Sequence, residues 1–145
     1  MAFESDSEWK SLLDQMLTRW TGNDPQRLVD YYDKDCVYSD PTGTYYGHKQ
    51  LLPYLKKLLS RNPNWVWTCK HKGFYPHKDT INNIKMFTFQ WIAIIPTDNG
   101  KLRCTGIDII GFDKRSKLIK INHVWFNADG NYHKWLKLTM RKSKL

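Results

Sequence analysis

The hydrophobic residues of this chain change their period once, near residue 63, and that change limits the fold more than any other feature. Before it, apolar residues recur at three- and four-residue spacing. Trp9, Leu12, Leu13, Met16, Leu17 and Trp20 mark a helix over Ser7 to Arg19, which Ser5 or Ser7 can cap and Gly22 can end. Asp24-Pro25 opens a second helix, with Asp as N-cap and Pro at the first helical position, and Leu28, Val29 and Tyr32 on its apolar face. Cys36 to Ser39 reads as a short strand, stopped by the turn sequence Asp40-Pro41-Thr42-Gly43. Gly47 to Leu59 is a third helix with Leu51, Leu52, Leu55, Leu58 and Leu59 on one side, and Pro53 near its start, where proline is tolerated.

After Asn62-Pro63 the period becomes two. Trp65 to Phe74, Thr80 to Ile95, Leu102 to Phe112 and Leu118 to Asn127 read as four long strands. Asp98-Asn99-Gly100 and Lys114 to Lys117 are the turns between the later ones. Helices followed by a strand meander predict an α+β fold, with an antiparallel sheet packed on a helical layer. Neither a repeat nor a linker divides the 145 residues, so residues 1–145 form a single domain. Residues 131–145 form a basic C-terminal tail.

Composition narrows the class. A 41% hydrophobic and 14% aromatic content is enough for a real core. The longest apolar run, Trp91 to Ile95, is far short of the ~20 residues of a membrane span, so no membrane is expected. The acidic N-terminus, Met1 to Trp9, lacks the apolar core of a signal peptide. Three widely spaced cysteines, Cys36, Cys69 and Cys104, suit a reduced, cytoplasmic protein. The net charge of +9 is uneven: residues 1–63 hold 8 basic and 9 acidic side chains, and residues 64–145 hold 15 and 5. Such a bias suits nucleic acid or an acidic surface, but neither a zinc-finger spacing nor an aromatic RNA-binding run accompanies it. A solvated lysine-rich face is the simpler reading, and no nucleic-acid partner is expected.

Few residues promise chemistry. Asp108 stands in Thr-Gly-Ile-Asp-Ile-Ile-Gly-Phe with no charge partner nearby. It either faces water or is buried with a raised pKa. His123 lies on the last strand with Ile119, Ile121, Trp125 and Asn127 on its face, while Lys120, Asn122, Val124 and Phe126 take the other. A lone histidine on a strand is ordinarily a hydrogen-bonded structural residue. His48, His71, His77 and His133 read as surface or turn residues. Cys69-x-His71 with His77 is a weak zinc signal with no second ligand pair, so neither a metal nor another cofactor is expected. Gly43, Gly47 and Gly106 form no phosphate loop, and no serine elbow is present.

Two landmarks carry a resemblance. The first is Asn23-Asp24-Pro25 followed by Tyr32-Asp33-Lys34-Asp35-Cys36-Val37-Tyr38-Ser39-Asp40-Pro41-Thr42-Gly43. The second is Gly106-Ile107-Asp108-Ile109-Ile110-Gly111-Phe112-Asp113, a turn, and Leu118 to Phe126. Together, over about residues 8–127, they resemble the SnoaL-like and ketosteroid-isomerase-like proteins of the nuclear transport factor 2-like superfamily. The resemblance implies a cystatin-like α+β barrel. In it, a cone-shaped, curved antiparallel β-sheet wraps around three N-terminal helices and encloses an apolar pocket. It also implies a homodimer, for which Ile107, Ile109, Val124 and Phe126 offer an outward apolar patch.

For the site, the resemblance implies Asp40 as general base and Asp108 as a protonated oxyanion donor. In ketosteroid isomerases an apolar site keeps the corresponding carboxylic acid neutral. Trp125 matches a pocket tryptophan and Tyr32 a supporting tyrosine. The tyrosine of the first helix falls on Met16, which cannot donate a hydrogen bond, and that of the third helix falls near Leu55, beside Tyr54. Losing one such donor costs about 10²–10³ in rate. His123, if it meets Asp108 from the neighbouring strand, would supply an acid–base pair. The expected activity is therefore isomerase- or cyclase-type acid–base chemistry on an apolar carbonyl compound. The catalytic set is Asp40, Asp108 and His123, with Met16, Tyr32, Tyr54 and Trp125 lining the pocket. The epoxide-hydrolase variant of the fold fits less well, because Arg103 and Asp108 point to opposite faces. The alternative is a non-catalytic ligand- or partner-binding module on the same fold, an adaptor for phenylalanine-rich repeats being its least supported form.

Overall fold

The computed structural model describes residues 5–20, 24–59, 68–78, 82–97 and 100–128. Helix α1 (Asp6–Arg19) and the short α2 (Pro25–Val29) lead into strands β1 (Tyr32–Asp40) and β2 (Gly43–Tyr46). Helix α3 (Gly47–Leu59) follows, then β3 (Thr68–Pro76), β4 (Ile84–Thr97), β5 (Gly100–Asp113) and β6 (Ile119–Ala128). The local rules that predicted α2 hold: the Arg27 N–H donates to the Asp24 carboxylate at 3.1 Å, and Pro25 occupies the first turn, where its missing N–H costs nothing. Helix α3 has the predicted bounds, but Pro53 is its seventh residue, an interior position rather than a start. Its ring faces solvent, and one main-chain hydrogen bond of the helix is absent there. The Ser5 side chain makes no capping bond to α1. Gly22, the start of the strand expected from Trp65, and the tail 131–145 lie outside the described residues.

The sheet is curved, open and six-stranded, in the order β2-β1-β6-β5-β4-β3. It is mixed rather than wholly antiparallel. The last strand of the meander, β6, pairs in parallel with β1, and β2, a strand the sequence did not announce, forms a hairpin with β1. An Asp33–Lys120 ion pair of 3.2 Å ties β1 to β6. The helices cover the inner face. Trp9, Leu13 and Met16 of α1, Leu28 of α2 and Leu51 and Leu55 of α3 are buried there with Phe87, Phe89, Ile110, Phe112 and Ile119 of the sheet. Trp9 packs against Phe87 and Phe112 at ring-centre distances of 5.8 and 5.4 Å.

One bulge decides which side chains enter that core. Gly111 pairs with Ile121 but Phe112 pairs with Ile119, so β6 carries one extra residue there. Ile119 is buried, and the alternation then restarts with the opposite parity. Asn122 and Val124 are buried, while Ile121 and Trp125 stand 39% and 48% exposed. An unbroken period of two, extended from Ile119, assigns the faces the other way round. That is why the expected grouping of His123 and Trp125 inside, with Val124 and Phe126 outside, is reversed. On β5 no bulge interrupts the alternation from Cys104 to Ile110, and Cys104, Gly106, Asp108, Ile110 and Phe112 are buried.

The join between the hairpin and α3 depends on Gly47. Its φ is +68°, and a Cβ built there would lie 2.6 Å from the Lys34 carbonyl oxygen. Replacing Gly47 by Ala adds backbone strain and a main-chain clash, so it is expected to lower unfolding free energy by about 1–3 kcal/mol in urea denaturation.

Candidate functional site

Four neighbouring strands bring one polar chain through the apolar core. Tyr32 on β1 donates its hydroxyl to Asn122 Oδ1 at 2.7 Å. Asn122 on β6 donates from Nδ2 to Asp108 Oδ2 at 2.9 Å. Trp91 on β4 donates its indole N–H to Asp108 Oδ1 at 2.7 Å. The chain runs straight across β1, β6, β5 and β4, and Asp108 is 6% exposed at its centre. Of the two readings open for Asp108, burial is the one realised.

The direction of the bonds matters for the charge. Trp91 can only donate. The Asn122 amide is oriented by a second acceptor, the Ile109 carbonyl, 3.4 Å from Nδ2. Asp108 thus meets two N–H donors and, among the described residues, no acceptor for a proton of its own. The hydrogen bonds favour the carboxylate, but burial, the larger effect, pushes its pKa up to about 7, and the charge of Asp40 adds to the rise. A group balanced in this way changes protonation near neutral pH.

Asp40 is held differently. It ends β1 at the Asp-Pro-Thr-Gly turn. Its Oδ1 accepts the Thr42 N–H at 2.8 Å and the Thr42 hydroxyl; its Oδ2 accepts the Tyr38 hydroxyl at 3.1 Å and the Tyr54 hydroxyl. A carboxylate offers about four acceptor positions, and here all are taken. The Tyr45 ring stacks on Tyr54 at 4.0 Å and completes an aromatic wall with Tyr38. Burial raises the pKa of Tyr32, Tyr38 and Tyr54, and nearby carboxylates raise it further, so all three phenols stay protonated donors.

The other predicted residues separate into two groups. Tyr32 and Tyr54 lie inside, each bonded to the polar groups just described. Met16 is buried in α1, and its sulfur accepts from the Trp20 indole at 3.2 Å. The pairing of His123 with Asp108 does not occur. His123 stands opposite Ile109, on the outer face, with its ring 4.1 Å from that of Trp125. Trp125 is likewise on the outer face, so the two residues are corrected out of the interior; the bulge in β6 is the cause. Among the other histidines, His48 Nε2 lies 2.6 Å from the Tyr32 carbonyl and His77 Nε2 lies 2.7 Å from the Thr88 hydroxyl, both structural contacts. The side chains of Cys69 and His71 lie outside the described residues. Among those described, no cluster of His, Cys, Asp or Glu could hold a metal.

Trp91, Asn122, Tyr38 and Thr42 were missed from sequence. One signal was available for Trp91: with Thr97 paired to Gly100, counting back along both strands sets Trp91 opposite Gly106. No local signal marks Asn122, since its inward position depends on the bulge.

The fold and these landmarks agree with a match to the SnoaL-like domain family over residues 13–120. The chain belongs to the SnoaL-like family. No curated protein matches it in sequence. Among solved structures it is similar to the β subunit of benzoate 1,2-dioxygenase from Burkholderia mallei, at 11% identity and a TM-score of 0.76, covering 88% of this chain and 93% of that one. It is also similar to SalBIII, an epoxide hydrolase/cyclase-like enzyme of pyran ring formation in salinomycin, at 12% identity and a TM-score of 0.69, covering 86% and 95%. A suspected isomerase of the SnoaL-like family from Agrobacterium tumefaciens is similar at 16% identity and a TM-score of 0.54, covering 81% and 95%. At such identities these likenesses establish the fold and nothing of the chemistry.

The Asp108 carboxyl binds its proton more tightly in the folded chain than in the unfolded chain, where it titrates near 3.8. Its contribution to stability is therefore full below about pH 4 and lost as pH rises through about 7. Unfolding free energy measured across that window is expected to carry a falling component that Asp108→Asn removes.

Proposed function

We propose that this SnoaL-like protein carries out acid–base chemistry on an apolar carbonyl compound, with Asp108 as the group that moves the proton. The observation behind this is the contrast between its two carboxylates. Asp40 has every acceptor position filled, whereas Asp108 has two left over and a pKa near neutrality. The roles that the family resemblance suggested are thus reassigned. Asp108 acts as the base, and Asp40 organises the turn and the tyrosines Tyr38 and Tyr54. Ionised Asp108 takes a proton from the carbon beside the carbonyl, the C–H electron pair moves into an enolate, and the proton returns to the same or another carbon. With Met16 in place of a donor on α1, a step that asks chiefly for one carboxylate, as in SnoaL-type cyclisation, suits the site better than steroid isomerisation. Buried thiols at Cys36 and Cys104 suit a reducing compartment such as the cytoplasm.

The test is deuterium exchange into a panel of apolar ketones and polyketide-like diketones, followed by NMR. Exchange is expected to rise with pH along a single limb near 7, and Asp108→Asn is expected to lower it about 10²–10⁴-fold. Asp40→Asn should reduce thermal stability and, by removing a charge that raises Asp108, move that limb to lower pH without abolishing it. Exchange that persists in Asp108→Asn removes Asp108 from the role of base.

A second reading, a non-catalytic binding module, is favoured by a different observation. A groove of about 460 Å³ lies between β4, β5 and β6, lined by Trp91 and Gly106 together with the outward-facing Gln90, Thr105, Ile107 and Trp125. Trp125 projects beside the groove it lines, and Ile107 is 42% exposed in the same row. A projection next to a recess is self-complementary across a two-fold axis, so the occupant we propose is a second copy of the chain. Sedimentation is expected to give a homodimer that Trp125→Lys dissociates while leaving the Asp108 titration unchanged.

A further inference from the structure

Gly106 explains how an indole reaches a buried carboxylate on the next strand. Gly106 lies directly opposite Trp91 in the β4–β5 ladder, and Asp108 lies opposite Phe89, one pleat further along. Trp91 must therefore cross β5 diagonally to meet Asp108. A Cβ on Gly106 would sit 2.1, 2.2 and 2.7 Å from the ring atoms Cζ2, Cε2 and Nε1 of Trp91. No side chain fits there while the indole keeps its place. Gly106 has no left-handed φ, so the backbone does not call for glycine; only the space does. The tryptophan is also a more demanding filler than an aliphatic side chain. A buried donor that found no acceptor would be destabilising, so its N–H is a specific commitment to Asp108.

We propose that Gly106 and Trp91 together form a positioning device for Asp108: the missing side chain admits the indole, and the indole N–H holds Oδ1 in place and favours the ionised carboxylate. Trp91 is here a positioning residue, and Gly106 acts only through it. Asn122 holds the other oxygen, so the device leaves each oxygen one acceptor position for an incoming proton. The titratable groups coupled to Asp108 are Asp40, whose charge raises it, and Tyr32 and Tyr38, which its charge raises and which stay neutral; all three are on β1. Removing the indole N–H therefore removes a donor to the charged form and leaves those charges where they were. The inference rests on the reading of Asp108 as the base, but its test does not need a substrate.

The experiment is a carboxyl ¹³C NMR titration of Asp108 in the full chain, for wild type, Trp91→Phe, Gly106→Ala and the double variant. Loss of a hydrogen bond to a buried carboxylate is expected to raise the Asp108 pKa by about one unit in Trp91→Phe. Gly106→Ala is expected to raise it by a similar amount, and the double variant to go no further than Trp91→Phe alone. An unchanged or lowered Asp108 pKa in Trp91→Phe overturns the proposal. So does a double variant whose rise is the sum of the two single rises, because Gly106 would then act independently of the indole. If Gly106→Ala does not fold, Trp91→Phe and Trp91→Leu decide the question of the N–H by themselves: both should raise the pKa alike, and a rise in Leu only assigns the effect to lost packing and overturns it. A protein that exchanges no substrate proton but shows these shifts loses the proposed chemistry and keeps the device.

Discussion

A carboxylate in the middle of an apolar sheet is the constraint around which the interior is arranged. Moving a charge out of water is costly unless hydrogen bonds replace the lost solvation. Here β5 carries Asp108 between Gly106 and Ile110 on the core side, so the replacement has to come from neighbouring strands. Trp91 from β4 and Asn122 from β6 provide it, and Tyr32 from β1 satisfies Asn122 in turn. The strand order makes this possible. Only because β1 docks in parallel beside β6 does Tyr32 stand within reach of a residue ninety positions away.

The two carboxylates show how environment divides like groups. Asp40 sits at a strand end, where a turn supplies a backbone N–H and two tyrosines converge from β1 and α3. Its acceptor positions are spent on structure. Asp108 sits mid-strand, where its directly opposite neighbours, Phe89 and Val124, are apolar and only the diagonal ones, Trp91 and Asn122, bring donors. Burial then outweighs those donors and moves the carboxyl toward neutral pH. The family's fold leaves both outcomes open; the local supply of donors decides between them.

Much of the architecture was legible before any coordinates. Period alone left open which way Asp108 faces, but helix bounds at Asp24-Pro25 and Gly47 to Leu59 and the Asp40-Pro41-Thr42-Gly43 turn follow from capping, turn chemistry and period. These are short-range effects, in which each residue responds to neighbours a few positions away. Of the residues singled out from sequence, Tyr32, Tyr54 and Asp108 are buried and Asp40 is half-buried, whereas His123 and Trp125 stand on the outer face. Their misplacement comes from one inserted residue. A single bulge between Gly111 and Phe112 reverses the parity of everything after it on β6, and no apolar pattern announces it, because Ile119, Ile121, Val124 and Trp125 are all hydrophobic.

The sequence alone therefore determined most of the elements, the α+β class and the isolation of Asp108 in an apolar strand. Those rest on local propensity and on the mismatch between a charge and its sequence neighbours. The tertiary structure decided the parallel join of β1 to β6, the parity of β6, and the identity of the groups that meet Asp108. Those depend on contacts across the sheet, where residues far apart in the chain compete for the same few ångströms, as the Trp91 indole and a side chain at position 106 would.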